Sequence, residues 1–127
     1  MFLGFEHAAI AACDTKALAE WYVKMFDFTV ASDNGKAPAT YLLKTPDGTI
    51  LEILPAASGQ PGDYGQQQAG IRHLALTVAD FEAALKTLQD KGITDFFDDR
   101  RSESYKLIFF RDPEGNLLHL MWRPKPL

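Results

Sequence analysis

Four residues hold the chemical interest of this sequence. His7, His73 and His119 are its only 3 histidines, and Glu52 lies inside the apolar run TILEIL. A carboxylate flanked by Leu51 and Ile53 is rarely kept unless it is paired or coordinated. Three imidazoles and one carboxylate suit a divalent metal: imidazole takes Zn, Ni, Co and Fe, and the carboxylate lowers the net charge of the site. Two plainer readings compete with this one. A histidine in an apolar strand can be a satisfied core residue, and Glu52 can form an ion pair with Arg72 or Arg111. No two of the four residues are closely spaced, so the case for a metal rests on where they recur.

They recur within a duplication, which is the first thing to look for in a chain of this kind. EHAAIAACDTKALAEWY aligns without a gap on RHLALTVADFEAALKTL, so His7 matches His73 and Asp14 matches Asp80. KTPDGTILEILP aligns on RDPEGNLLHLMW, so Pro46 matches Pro113, Gly48 matches Gly115 and Glu52 matches His119. The offset is 66 residues at the start and 67 at the end. The four residues therefore occupy two duplicated positions, one in the first strand and one in the last strand of each half. If the halves are related by a pseudo-twofold axis, these side chains can converge on one cavity.

Each half must supply the strands and helix that position them. FEHAAIAA and IRHLALTV read as short strands. Asp14 and Asp80 follow as N-caps, whose carboxylates accept the free amides of a first helical turn. Leu18, Trp21, Tyr22 and Met25 then share one helical face, as do Phe81, Ala84, Leu85 and Leu88. Lys91 and Gly92 end the second helix. FTVAS, ATYLLKT and TILEIL complete the first half as strands; ITDFF, YKLIFFR and NLLHLMW complete the second. Proline and glycine in PDG and PEG make the joints before each last strand tight turns. Alternation puts Ile50, Glu52 and Leu54 on one face, Leu117, His119 and Met121 on another, and Ile71, His73, Ala75 and Thr77 on a third.

The segment between the halves, PAASGQPGDYGQQQAG, reads as a linker whose bulky or charged members are Asp63 and Tyr64. The predicted organisation is one α+β domain over 1–127, with module 1 at about 3–56, a linker at 57–68 and module 2 at about 69–124. A half of roughly 60 residues, with one helix against its strands, leaves a sheet face uncovered, so two paired β-α-β-β-β modules are the economical architecture.

Composition excludes several functions. With 127 residues, a formal charge of -4 and 46% apolar residues, the chain is an ordinary globular protein. It has no Lys/Arg run to bind nucleic acid, and no apolar run nears the ~20 residues that cross a bilayer. MFLGFEH lacks the basic and long apolar regions of a signal peptide. The single cysteine, Cys13, cannot form an internal disulfide and is expected to be a small buried thiol in a reduced, cytoplasmic protein. Phe26, Phe28, Phe96 and Phe97 are expected to pack the core. Trp21, Tyr41, Phe109 and Phe110 are candidates to contact a ligand, and Arg111 and Lys106 to meet an anionic one. Arg100 and Arg101 are expected in a solvated loop.

FEHAAIAACD, IRHLALTVAD and FFRDPEGNLLHLMW together resemble the vicinal oxygen chelate superfamily. That superfamily includes glyoxalase I, bleomycin- and fosfomycin-resistance proteins, methylmalonyl-CoA epimerase and extradiol dioxygenases. The resemblance runs from about residue 5 to about 123. It implies two paired β-α-β-β-β modules forming a curved sheet around a metal cavity. By position it makes His7, Glu52, His73 and His119 the ligands of a divalent metal (Zn, Ni, Co or Fe, with Zn or Ni favoured). It also implies a homodimer acting on a small-molecule substrate with neighbouring oxygens, as a lyase or isomerase of the glyoxalase I type that passes through an enediolate-like intermediate. Glu52 is the leading candidate for general base, and His119 is the other. Many relatives, glyoxalase I among them, carry glutamate where this chain has His119. Two alternatives are a non-heme iron dioxygenase using two histidines and Glu52, and a non-catalytic binding protein of the antibiotic-resistance kind.

Overall fold

Asp14 and Asp80 begin the two helices as the sequence predicts. Each side chain accepts a hydrogen bond at 3.0 Å, Asp14 from the Ala17 amide and Asp80 from the Ala83 amide. A computed structural model describes residues 1–59, 65 and 67–127. Residues 60–64 and 66, among them Asp63 and Tyr64 of the linker, lie outside the described residues. The chain divides into two compact units, Met1–Pro61 and Gly62–Leu127.

The first unit runs β1 (His7–Ala12), α1 (Thr15–Phe26), β2 (Thr29–Asp33), β3 (Tyr41–Lys44) and β4 (Ile50–Pro55). Its four strands form one sheet in the order β1-β4-β3-β2, with β1 parallel to β4 and the remaining pairs antiparallel. The second unit runs β5 (His73–Thr77), α2 (Phe81–Asp90), β6 (Phe97–Arg101), β7 (Lys106–Arg111) and β8 (Leu117–Trp122), in the equivalent order β5-β8-β7-β6. Two β-α-β-β-β modules are thus present. A parallel first and last strand needs a crossover, which the helix and the two intervening strands provide.

The helices bury the faces that helical spacing selects. Leu18, Tyr22 and Met25 of α1 are buried, and α1 packs on β1, β3 and β4. Phe81 and Leu88 of α2 are buried, and α2 packs on β8. Past α2, Gly92 takes φ 100, and the Gly92 and Ile93 amides donate to the carbonyls of Gln89 and Leu88, each at 3.0 Å. That pair of hydrogen bonds is a Schellman stop, which a residue with a Cβ enters only under strain.

The two turns before the last strands are built alike. Gly48 donates to the Thr45 carbonyl and Gly115 to the Asp112 carbonyl, each at 3.0 Å, with φ of 95 and 86. Buried Asp112 tightens the second turn by accepting from the Glu114 and Asn116 amides at 2.9 Å. No helix among the described residues is long and apolar enough to cross a membrane.

Three local expectations need correction. The strand expected in ITDFF overlaps the observed β6 only at Phe97. Ile93 is taken up by the helix stop, and the ladder starts later because Asp98 adopts φ 52 at a register shift between Phe97 and Arg100. Arg100 and Arg101 therefore lie in a strand rather than a loop. They make it a charged edge, Arg100 bonding Asp98 at 2.7 and 2.8 Å and Arg101 bonding Asp99 at 2.9 Å. Such charge discourages pairing with another strand. Cys13, expected to be buried, is exposed because it falls between the end of β1 and the Asp14 cap.

Candidate functional site

Strand pairing places the four chemically interesting residues in the same way in both units. In the first, β1 and β4 pair with His7 opposite Ile50 and Ala9 opposite Glu52. In the second, β5 and β8 pair with His73 opposite Leu117 and Ala75 opposite His119. Each first-strand histidine thus stands diagonal to a last-strand donor two residues on, and alternation puts both on the sheet face away from the helix. The duplication read in the sequence is a duplication of register.

In the first unit His7 and Glu52 come together, with Nε2 of His7 4.0 Å from Glu52 Oε2. Among the described residues, the ion-pair partner of Glu52 is His7, from within its own sheet. The other ring nitrogen, Nδ1, donates to the Glu6 carboxylate. That bond, with smaller help from the charge of Glu6 and then of Glu52, raises the His7 pKa above 6.5 despite partial desolvation. Glu6 is not among the residues the sequence singles out, although its place beside the histidine is a usable signal.

In the second unit the His73 and His119 rings lie 4.7 Å apart, with Phe109 4.8 Å from His119 and edge-on to His73 at 5.5 Å. His119 is 3% exposed, and its Nδ1 lies 3.0 Å from the Leu120 carbonyl. A carbonyl only accepts, so Nδ1 carries the proton and Nε2 keeps its lone pair. Burial, with a smaller contribution from His73, pushes the His119 pKa below 6.5 against that hydrogen bond.

These details fit a metal. A metal-bound histidine commonly gives its second N–H to a carboxylate or a carbonyl, which fixes the ring and presents the other nitrogen. His7 does this through Glu6, and His119 through the Leu120 carbonyl. Each unit supplies two donors of suitable chemistry, and no group of three or more potential ligands forms among the described residues.

Of the aromatic residues considered for ligand contact, Phe109 shares the His119 face, being paired directly opposite it. Phe110 lies fully buried on the other face, 5.8 Å from Phe96. Trp21 packs edge-on to Tyr22 and Phe26 along α1. Tyr41 pairs with Ile53, so it faces away from Glu52 and lines a shallow cavity of about 310 Å³ with Cys13 and Lys36. Phe97 is a packing residue as expected, but on the His119 face, stacked on Phe109 at 5.9 Å.

Comparison with known proteins agrees with this architecture. The profile of the Glyoxalase/Bleomycin resistance protein/Dioxygenase superfamily matches residues 4–120, and the chain belongs to that superfamily. A glyoxalase family protein from Enterococcus faecalis is 28% identical, with a TM-score of 0.76 over 94% of this chain and 98% of that one. Two more distant structures share the fold. FosX from Listeria monocytogenes, a fosfomycin resistance protein solved with Mn(II) and sulfate, is 16% identical, with a TM-score of 0.71 over 97% of this chain and 92% of its own. TnmS3, an antibiotic binding protein from Streptomyces sp. CB03234, is 17% identical, with a TM-score of 0.74 over 96% and 97%. No curated protein matches the chain.

Proposed function

We propose that this protein is a metal-dependent lyase or isomerase of the glyoxalase I type, acting on a small substrate with oxygens on neighbouring carbons. The observation that carries the proposal is the repeated register, which sets a histidine diagonal to a second donor in each module. His7 and Glu52 from one module and His73 and His119 from the other would hold one divalent ion, with Zn or Ni favoured and Co or Fe also compatible. The active species is a homodimer. A bound divalent metal supplies Lewis acidity to the substrate's neighbouring oxygens.

The chain's own residues move the proton. Glu52 is the one carboxylate of the set, with a side chain 26% exposed and therefore reachable by substrate. It takes a proton from one substrate carbon and returns it to the next. His119, its pKa lowered by burial and its Nε2 presented, is the second candidate for that transfer.

The test is metal content measured together with turnover. Purified protein should carry close to one divalent metal per chain, and His73→Ala should abolish it. Glu52→Gln should keep substantial metal while losing turnover on thiohemiacetals of 2-oxoaldehydes, acyl-CoA epimers or catechols. Equal loss of metal and turnover would leave Glu52 as a ligand without a catalytic role. Turnover of catechols would move the protein to the second enzymatic reading, a non-heme iron dioxygenase.

A non-catalytic binding protein is the other reading, favoured by the Phe97–Phe109 stack on the His119 face. Metal-free protein that binds an aromatic ligand as tightly as metal-loaded protein would establish it.

A further inference from the structure

The two halves of the duplication differ at the residue before the first-strand histidine. Glu6 stands before His7, and Arg72 takes the same place before His73. In the first unit the Glu6 carboxylate bonds Nδ1 of His7. A carboxylate only accepts, so this bond keeps a proton on Nδ1, and the lone pair of the neutral ring falls to Nε2. Nε2 lies 4.0 Å from Glu52 Oε2, on the side where the second donor of the module stands.

Arg72 cannot play that part, because a guanidinium only donates. Its Nη1 donates to the Gly65 carbonyl at 3.2 Å and to Gln68 Oε1 at 3.0 Å. Among the described residues the His73 ring makes no hydrogen bond, and its neighbours are the rings of His119 at 4.7 Å and Phe109 at 5.5 Å. His119 turns its Nδ1 to a main-chain carbonyl, that of Leu120. His7 is therefore the histidine whose orientation depends on a side chain, and that side chain can be replaced without touching a strand. The Glu6 side chain is 81% exposed and precedes β1, and an ion pair so open to water adds little to folding. Its effect falls on the ring. A free imidazole rotates and exchanges its proton between two nitrogens, whereas a carboxylate behind it fixes both and makes the far nitrogen a better donor.

We propose that Glu6 is a positioning residue for the metal: it holds His7 in the tautomer and orientation that present Nε2 beside Glu52, and so tightens the hold of the chain on a divalent ion. The inference rests on the metal-dependent reading above.

The experiment has two readouts on the full chain. The first is the His7 tautomer in metal-free protein, read from the ring nitrogens by NMR at a pH where the ring is neutral and assigned by the loss of signals in His7→Asn. Wild type should carry the proton on Nδ1, and Glu6→Ala should move it largely to Nε2. The second is Zn(II) affinity, measured by competition with a chelating dye. Glu6→Ala should weaken it roughly ten- to a hundredfold, the usual effect of losing such a partner, with an unchanged melting temperature for the metal-free protein. Glu6→Arg, which gives the first half the residue of the second, should weaken it at least as much. Glu20→Ala removes an equal charge from α1 and should leave the affinity unchanged.

If wild-type His7 carries its proton on Nε2, or if Glu6→Ala changes neither readout, the assignment falls while the metal reading stands. If Glu20→Ala weakens zinc binding as much as Glu6→Ala does, Glu6 acts through its charge alone and is no positioning residue. If wild type takes up no zinc, the metal reading fails and takes the assignment with it.

Discussion

His119 is the residue at which a structural and a ligand role can be separated most cleanly. Its ring is nearly fully buried, lies against Phe109 and His73 at 4.8 and 4.7 Å, and gives one hydrogen bond to the Leu120 carbonyl. His119→Ala removes all of this and leaves a hole, costing about 2–4 kcal/mol for packing and about 1 kcal/mol for the bond. His119→Phe keeps a ring of similar shape and loses mainly the hydrogen bond, about 1 kcal/mol. For a chain of this size 1 kcal/mol moves Tm by about 4 °C, so metal-free His119→Phe should melt about 4 °C below wild type and His119→Ala at least about 12 °C below. Ligand at a hundred times its Kd stabilises by about 2.7 kcal/mol, so saturating metal should raise the wild-type Tm by about 10 °C. In His119→Phe that rise should nearly vanish although the protein is folded. The assay is scanning fluorimetry or calorimetry with and without Zn(II), with a chelator control. A metal-dependent rise in His119→Phe equal to that of wild type refutes the donor role. His119→Ala melting with His119→Phe refutes the packing argument.

Three further predictions concern the two histidines and the helix caps. Because the folded state holds the His119 pKa below 6.5 and the unfolded chain does not, the unfolded chain takes up a proton first as pH falls. Metal-free protein should therefore lose stability below pH 6.5, toward the lowered folded value, and His119→Phe should flatten that slope in denaturant midpoints. His7 has the opposite sign: its raised pKa gives stability that is full below 6.5 and fades as pH rises through the folded value, and His7→Asn should remove it. Asp14→Ala and Asp80→Ala should each cost about 1 kcal/mol by freeing an amide of the first helical turn, read as a lowered urea midpoint with an unchanged slope.

Most of the fold was legible because its signals are local. Aspartate before an apolar helical face, glycine after it, and proline and glycine at a fixed distance before the last strand each act within a few residues. The structure realises them as two caps, a Schellman stop and two matching turns. The misreading of β6 shows where local signals give out. ITDFF has strand-forming residues, yet Ile93 bonds back to Leu88 and the ladder begins beyond it, in FDDRR. The charged residues there gain from ion pairs with Glu82, Asp98 and Asp99, partners that strand propensity does not register. Cys13 fails for a related reason: its exposure depends on the chain leaving β1 one residue earlier, at Ala12.

The candidate site was legible to a different depth in each module. The four candidate residues could be picked out because a repeat marks position independently of spacing, and the pairing registers set His7 diagonal to Glu52 and His73 diagonal to His119. What sequence alone does not carry is the acceptor behind each ring, because that depends on side-chain rotation. His7 turns Nδ1 to the neighbouring carboxylate of Glu6, and His119 turns it to a main-chain carbonyl in a buried strand. The same Nε2 is presented in both, but with opposite effects on basicity, raised at His7 and lowered at His119. Replacing the carboxylate of the first module by an imidazole in the second is therefore more than a change of ligand type. Glu52 leaves a carboxylate beside an exposed histidine. His119 leaves an imidazole in an aromatic wall, where burying a second carboxylate would carry a large desolvation cost. On the function proposed above, with Glu52 as the general base, Glu52→Gln should reduce kcat much more than it raises KM.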